Sequence, residues 1–142
     1  TGLVGVALSQ GGYKHINGKE YPKAMLDEAG KKNVYQQLQQ MNMNVALPID
    51  AGAYDGVTCV GTFTSAHVEP EALRELVRVT RAGGIVCCTV REEYWQETYF
   101  PEVLNQIVES GGAALKQLCD EPYVHSEEST CKMVVLEVTQ TA

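Results

Sequence analysis

The stretch from Glu69 to Val90 constrains the fold more than any other part of this chain. Its first half, Glu69–Arg81, carries Ala72, Leu73, Leu76, Val77 and Thr80 on one stripe. Glu71 and Arg74 lie outside that stripe at a spacing that lets them pair, so the segment predicts an amphipathic helix. Its second half, Ile85–Val90, is a continuous apolar run of β-rich residues, the pattern of a strand covered on both faces. Upstream, Tyr54–Phe63 predicts another strand, with Val57, Cys59 and Val60 on an apolar run that Gly61 closes. The two strands are therefore expected to pair in parallel, joined by the helix as a crossover.

The remaining segments extend the alternation. Thr1–Gln10 is helical and stopped by Gly11 and Gly12, His15–Glu20 is extended, and Pro22 opens a helix through Ala29 that Gly30 ends. Val34–Val45 suits a helix as well as a strand because Gln36, Gln37, Gln39 and Gln40 surround Leu38; the strand is the reading adopted. Gly83 and Gly84 stop the Glu69–Arg81 helix, and a further helix carries Phe100, Val103, Leu104, Ile107 and Val108. Ala113–Cys119 and Cys131–Val138, separated by the acidic stretch Asp120–Glu128, form an antiparallel terminal pair. The fold class is α/β, and the 142 residues provide for one domain, 1–142.

Composition narrows the partners. Eleven Lys and Arg against 18 Asp and Glu give a formal charge of −7, which repels phosphate backbones and argues against nucleic acid. The five cysteines, Cys59, Cys87, Cys88, Cys119 and Cys131, contain no CxxC pair and read as reduced core residues. No apolar window is long enough for a membrane span and the first twenty residues lack a signal-peptide pattern, so a cytoplasmic location is expected. The chain begins at Thr1 rather than a methionine, which reads as a processed or incomplete piece of a longer product.

Several motifs, taken in this order, carry a resemblance. Thr1-Gly2-Leu3-Val4-Gly5 is similar to the second half of a GxGTGLVG-like loop, and Asn17-Gly18-Lys19-Glu20 with Ala24-Met25-Leu26 is similar to a strand-end acid and the helix behind it. Tyr54-Asp55-Gly56-Val57 through Gly61-Thr62-Phe63-Thr64 is the most specific stretch, and Arg78 through Gly84 resembles an RxxKPGG turn. Together they resemble the class I S-adenosylmethionine-dependent methyltransferases, and in particular the Williams-Beuren-region type. The similarity covers nearly the whole chain.

The resemblance implies a three-layer, Rossmann-like methyltransferase sheet, mostly parallel with an antiparallel terminal strand pair, with S-adenosylmethionine as cofactor. It implies cofactor contacts from Thr1 and Gly2 in the glycine-rich loop, and from Glu20, which would accept from the ribose hydroxyls where the family usually carries Asp. Asn42 stands where the family places an Asp that accepts from the adenine amino group. Gly61, Thr62 and Phe63 would border the methyl-donating sulfonium and the substrate. It also implies that the first strand and first glycines of the family are absent here, an N-terminal truncation. That strand lies mid-sheet in the family, so upstream residues, direct strand closure or another chain would have to fill the gap. Without the glycine turn, weak cofactor binding is expected.

Methyl transfer needs alignment more than a strong acid or base, so the catalytic residues stay unassigned. His67, Tyr94, Trp95 and His125 are candidates to orient an acceptor, each with the plainer reading of a loop or surface residue. There is no GxSxG elbow and no HExxH, and Cys87 and Cys88 point to opposite faces of one strand, so a metal site is not expected. A nicotinamide-dinucleotide fold shares the sheet and the ribose acid but would require a full GxGxxG. Two functions remain open: a methyltransferase acting on a small molecule or a protein side chain, or a truncated, non-catalytic fold serving as a binding or assembly module. A homo-oligomer covering exposed sheet edges is a further expectation.

Overall fold

The computed structural model describes residues 3–20, 23–64, 68–124 and 129–139. The chain divides into two compact units, Thr1–Leu47 and Pro48–Ala142. In the first, α1 (Leu3–Gln10), β1 (Asn17–Glu20), α2 (Lys23–Gly30) and β2 (Gln37–Gln40) follow one another. β1 and β2 pair in parallel, from Asn17 opposite Gln37 to Glu20 opposite Gln40, so the Gln-rich segment is a strand, though a short one. Its apolar contribution is Leu38, and Gly18 admits that side chain, because a Cβ there would lie 2.6 Å from Leu38 Cδ2. Gly5 likewise makes room for the Tyr35 ring. Two glycines of the sequence motifs therefore serve packing inside this unit.

The second unit contains β3 (Tyr54–Phe63), α3 (Ala72–Val79), β4 (Thr80–Arg91), α4 (Glu92–Glu97), α5 (Phe100–Glu109), β5 (Ala113–Val124) and β6 (Ser129–Val138). Its sheet has the order β3-β4-β6-β5. β3 and β4 are parallel, with Val57 opposite Val86 and Cys59 opposite Cys88, as expected of strands joined through α3. β6 lies antiparallel between β4 and β5, setting Leu136 opposite Val86 and Val134 opposite Cys88. This is the antiparallel terminal pair expected from the sequence. Among the described residues, each unit has its own sheet, β1-β2 in the first and β3-β4-β6-β5 in the second.

Alternate residues along the second half of β4 and along β6 are buried. Val86, Cys88, Val90, Val134, Leu136 and Val138 are buried, as are Leu73 and Leu76 of α3 and Phe100, Val103 and Leu104 of α5. Burying a side chain of this kind contributes about 1.5–3 kcal/mol relative to leaving it in water. The stripe on α3 is buried as read, and the Glu71–Arg74 pair forms outside it at 2.7 Å.

Two local readings are corrected. The helix expected over Glu69–Arg81 is α3, Ala72–Val79, and Thr80 already belongs to β4, where its Oγ1 donates to Leu76 O at 2.7 Å. Gly83 and Gly84 do not stop the helix. They form an irregular entry to β4, where Tyr54 opposes Thr80 but Gly56 opposes Ile85. β3 has the bounds expected from the sequence, Tyr54–Phe63, and runs on past the glycine that closes its apolar run. Of the cysteines, Cys59, Cys88 and Cys131 are buried and Cys87 and Cys119 half-buried, and none of the five is in a disulfide.

Candidate functional site

In an open α/β sheet, ligands lie beyond the carboxyl ends of the parallel strands. In the first unit those ends are Glu20 and Gln40, which stand opposite one another. Asn42 follows two residues after Gln40. It is exposed, and its Oδ1 accepts from the backbone N–H of Asn44 at 2.9 Å, a local turn of the kind asparagine favours. An amide oxygen has two lone pairs, so one remains for a ligand donor. Thr1 and Gly2 lie outside the described residues, as does Pro22.

In the second unit the parallel strands end at Phe63 and Arg91. β3 is bulged just before its end: Cys59 opposes Cys88 and Phe63 opposes Val90, so Val60, Gly61 and Thr62 together face the single residue Thr89. Gly61 takes φ +75°, a conformation that costs other residues about 1 kcal/mol or more. Its N–H donates to Thr89 Oγ1 at 3.3 Å, and the Thr64 N–H donates to Thr62 O at 3.0 Å. The bulge presents Gly61 as exposed and Thr62 as half-buried at the strand end.

Phe63 is different. Its ring is fully buried, 5.0 Å from Phe100 and 5.8 Å from Tyr94 between centroids. Phe63 therefore offers this end of the sheet its backbone, while its ring anchors the strand.

Tyr94 and Trp95, for which the sequence favours a loop or surface place, both lie on α4. Tyr94 is buried, its hydroxyl donates to Val68 O at 2.6 Å, and burial pushes the phenol well above its ordinary 10.0, with Glu69 reinforcing the shift. A phenol held this way is a structural donor, not a base. Trp95 is half-buried beside Phe100, and the Lys132 ammonium lies 5.9 Å from its ring centroid. Lys132 Nζ is also 2.6 Å from Asp120 and 3.5 Å from Glu92, which ties β5, β6 and α4 together where β4 ends. The Asp120 hydrogen bond raises the lysine further, against the opposing effect of burial. Sequence reasoning missed this cluster, whose members are distant along the chain. His67 and His125 lie outside the described residues. No group of three metal-ligating side chains occurs among the described residues.

Comparison with known proteins decides the family. A family model described as a methyltransferase domain matches residues 1–88. The chain belongs to the methyltransferase-domain family. The matched segment includes Glu20, Asn42 and Gly61–Phe63 and runs into β4 at Cys88. No curated protein sequence matches this methyltransferase domain.

Its fold is similar to solved structures at low identity. A SAM-dependent methyltransferase from Methanosarcina mazei aligns with TM-score 0.70 and 11% identity, covering 95% of this chain and 87% of the other. A TehB-like SAM-dependent methyltransferase from Corynebacterium glutamicum aligns with TM-score 0.69 and 17% identity, covering 97% and 75%. A chain from the complex between the Haloferax volcanii Trm112 methyltransferase activator and a methyltransferase aligns with TM-score 0.65 and 14% identity, covering 91% and 73%. At these identities the likeness is one of fold. Among the described residues, no helix of the methyltransferase domain is long and apolar enough to cross a membrane.

Proposed function

We propose that this methyltransferase domain transfers a methyl group from S-adenosylmethionine, with Glu20, Asn42, Gly61 and Thr62 as its donor-binding residues. The observation that carries the reading is the bulge of β3, which sets Gly61 and Thr62 free of the strand ladder at a carboxyl end of the parallel sheet. The donor set fits the group. A strand-end carboxylate suits a vicinal diol, an amide oxygen suits an amino group, and a bulged glycine lets backbone approach a ligand without a side chain between. S-adenosylmethionine, when bound, supplies an electrophilic methyl on a sulfonium.

What this chain adds is alignment: Glu20 orients the ribose, Asn42 the adenine, and the Gly61–Thr62 backbone borders the reactive end. Phe63 contributes through its buried ring, which fixes where the bulge returns to the ladder. Thr1 and Gly2 complete the assignment as the loop that meets the amino-acid end. The segment Tyr54–Thr64, which carries the Williams-Beuren-region resemblance, supports that subtype. The Haloferax complex supports a protein partner. The methyl acceptor is a small molecule or a protein side chain.

A second reading, a binding module without catalysis, draws on one observation. Tyr94, on the helix that follows β4, is committed to Val68 and unavailable to an acceptor.

An amide-resolved NMR titration with S-adenosylhomocysteine up to several millimolar tests the proposal. Saturable shifts at Glu20, Asn42, Gly61 and Thr62 are expected, and Glu20→Ala should weaken binding sharply. The absence of any saturable shift would overturn the donor assignment. Binding without transfer of labelled methyl to any acceptor pool would favour the module.

A further inference from the structure

β4 contains one oxygen-bearing side chain within its apolar run Ile85–Val90, and that residue is Thr89. It is only 7% exposed. A valine would fill the same volume with equal strand preference and no buried hydroxyl, so placing threonine here costs about 1–3 kcal/mol unless the hydroxyl is hydrogen-bonded. The hydroxyl oxygen accepts from the Gly61 N–H at 3.3 Å, across the bulge that Thr89 alone faces.

The geometry explains why that bond matters for position more than for folding. Phe63 is locked by its ring against Phe100 and Tyr94, and Cys59 is locked in register with Cys88. Between these two anchors, Val60, Gly61 and Thr62 must bow out whatever residue occupies position 89. Many bowed conformations satisfy the anchors, and the bond from Gly61 to Thr89 selects one of them.

We propose that Thr89 is a positioning residue that holds the β3 bulge in the conformation presenting Gly61 and Thr62 to the methyl donor. The inference rests on the reading that these two residues border the donor.

The test uses the full chain with Thr89→Val, Thr89→Ser and Thr80→Val. Thr80 is the control, a buried threonine in the same strand whose hydroxyl donates to Leu76 O at the opposite end of β4. Two quantities are measured well below the unfolding midpoint: hydrogen exchange of the Gly61 amide without ligand, and the Kd for S-adenosylhomocysteine. Thr89→Val should speed Gly61 exchange about tenfold and raise Kd about fivefold, the scale of one lost hydrogen bond. Thr89→Ser should keep both close to the parent values, and Thr80→Val should lower the melting temperature with Kd unchanged.

Faster Gly61 exchange with unchanged Kd in Thr89→Val would overturn the positioning role and leave the donor assignment standing. Unchanged exchange would overturn the hydrogen bond itself. A parent chain that binds no S-adenosylhomocysteine would overturn the donor assignment, and the inference with it. Thr89→Ala carries the same test should the valine variant not fold.

Discussion

Gly84 lies so close to the backbone carbonyl of Asp55 that a Cβ on it would sit 2.5 Å from that oxygen. The same Cβ would meet Arg81 O at 2.9 Å and Thr80 Cγ2 at 2.7 Å. Two of these three neighbours are backbone atoms, which cannot swing aside. The close approach arises because Arg81–Gly84 loop out opposite the single residue Asp55, while the Arg81 guanidinium reaches Asp55 Oδ1 at 2.9 Å.

Gly84→Ala should therefore destabilise the fold by about 2–3 kcal/mol, within the range of backbone clashes and overpacking. Gly83→Ala should cost about 1 kcal/mol, because its φ of +81° strains an alanine while its surroundings are more open. Urea denaturation of the two variants checks both the magnitudes and their order. A Gly84→Ala variant as stable as the parent would contradict the close approach.

Alkaline pH should weaken the protein through Tyr94 and the buried thiols. Burial raises Tyr94 well above 10.0 and raises Cys87, Cys88 and Cys131 above 9.0. The folded state thus keeps protons that the unfolded chain gives up, so stability is intact below about pH 9 and falls as pH rises through 9 and 10. Tyr94→Phe should cost about 1 kcal/mol at neutral pH through loss of the bond to Val68 O. It should also flatten the decline above pH 10 and leave the thiol part that begins near pH 9. Denaturation midpoints measured from pH 8 to pH 11 check this, and an unaltered slope above pH 10 in the variant would contradict it.

The parts of the fold that were legible in the sequence are those where burial repeats. The run Ile85–Val90, the stripe on α3 and the two terminal apolar segments each carry a pattern that one structure satisfies, and β4, α3, β5 and β6 follow from them. What was not legible depends on single residues. α4 has one deeply buried residue, Tyr94, in a helix of six, and one buried position does not make a period. The β3 bulge is invisible for a similar reason: the segment Tyr54–Phe63 shows a strand, but the extra residues facing Thr89 emerge only from its register with β4. At the candidate site, Glu20 as a strand end was legible from the segment before Pro22. The Thr89 hydroxyl was hidden inside a run whose apolar neighbours define it as core.

The cysteines should react in an order set by burial. Cys119 is half-buried on the outer strand β5, and its sulfur lies 3.1 Å from Gln117 Nε2. Cys87 is half-buried, lies 3.4 Å from Met133 Sδ, and is held protonated by burial. Iodoacetamide at pH 8 should label Cys119 first and Cys87 more slowly in the native protein, and Cys59, Cys88 and Cys131 only on unfolding. All five should react once the chain is unfolded without reductant. Peptide mass spectrometry over a time course reads the order, and native labelling of Cys88 at the rate of Cys119 would contradict the packing of β4.

Asn42 provides the sharpest test of how the first unit meets its ligand. Its Oδ1 already accepts from the Asn44 N–H, and a carboxylate at the same position would keep that bond and offer a stronger second acceptor. If Asn42 accepts from the adenine amino group, Asn42→Asp should tighten S-adenosylhomocysteine binding about threefold. Asn42→Ala, which removes the turn and the acceptor together, should weaken it by at least as much. The contrast separates a ligand contact from a purely local one: the aspartate preserves the turn, so a residue serving only Asn44 would leave affinity unchanged in Asn42→Asp. Titrations of the three proteins under one buffer condition distinguish these outcomes, and equal affinity in the parent and Asn42→Asp would remove Asn42 from the donor-binding set.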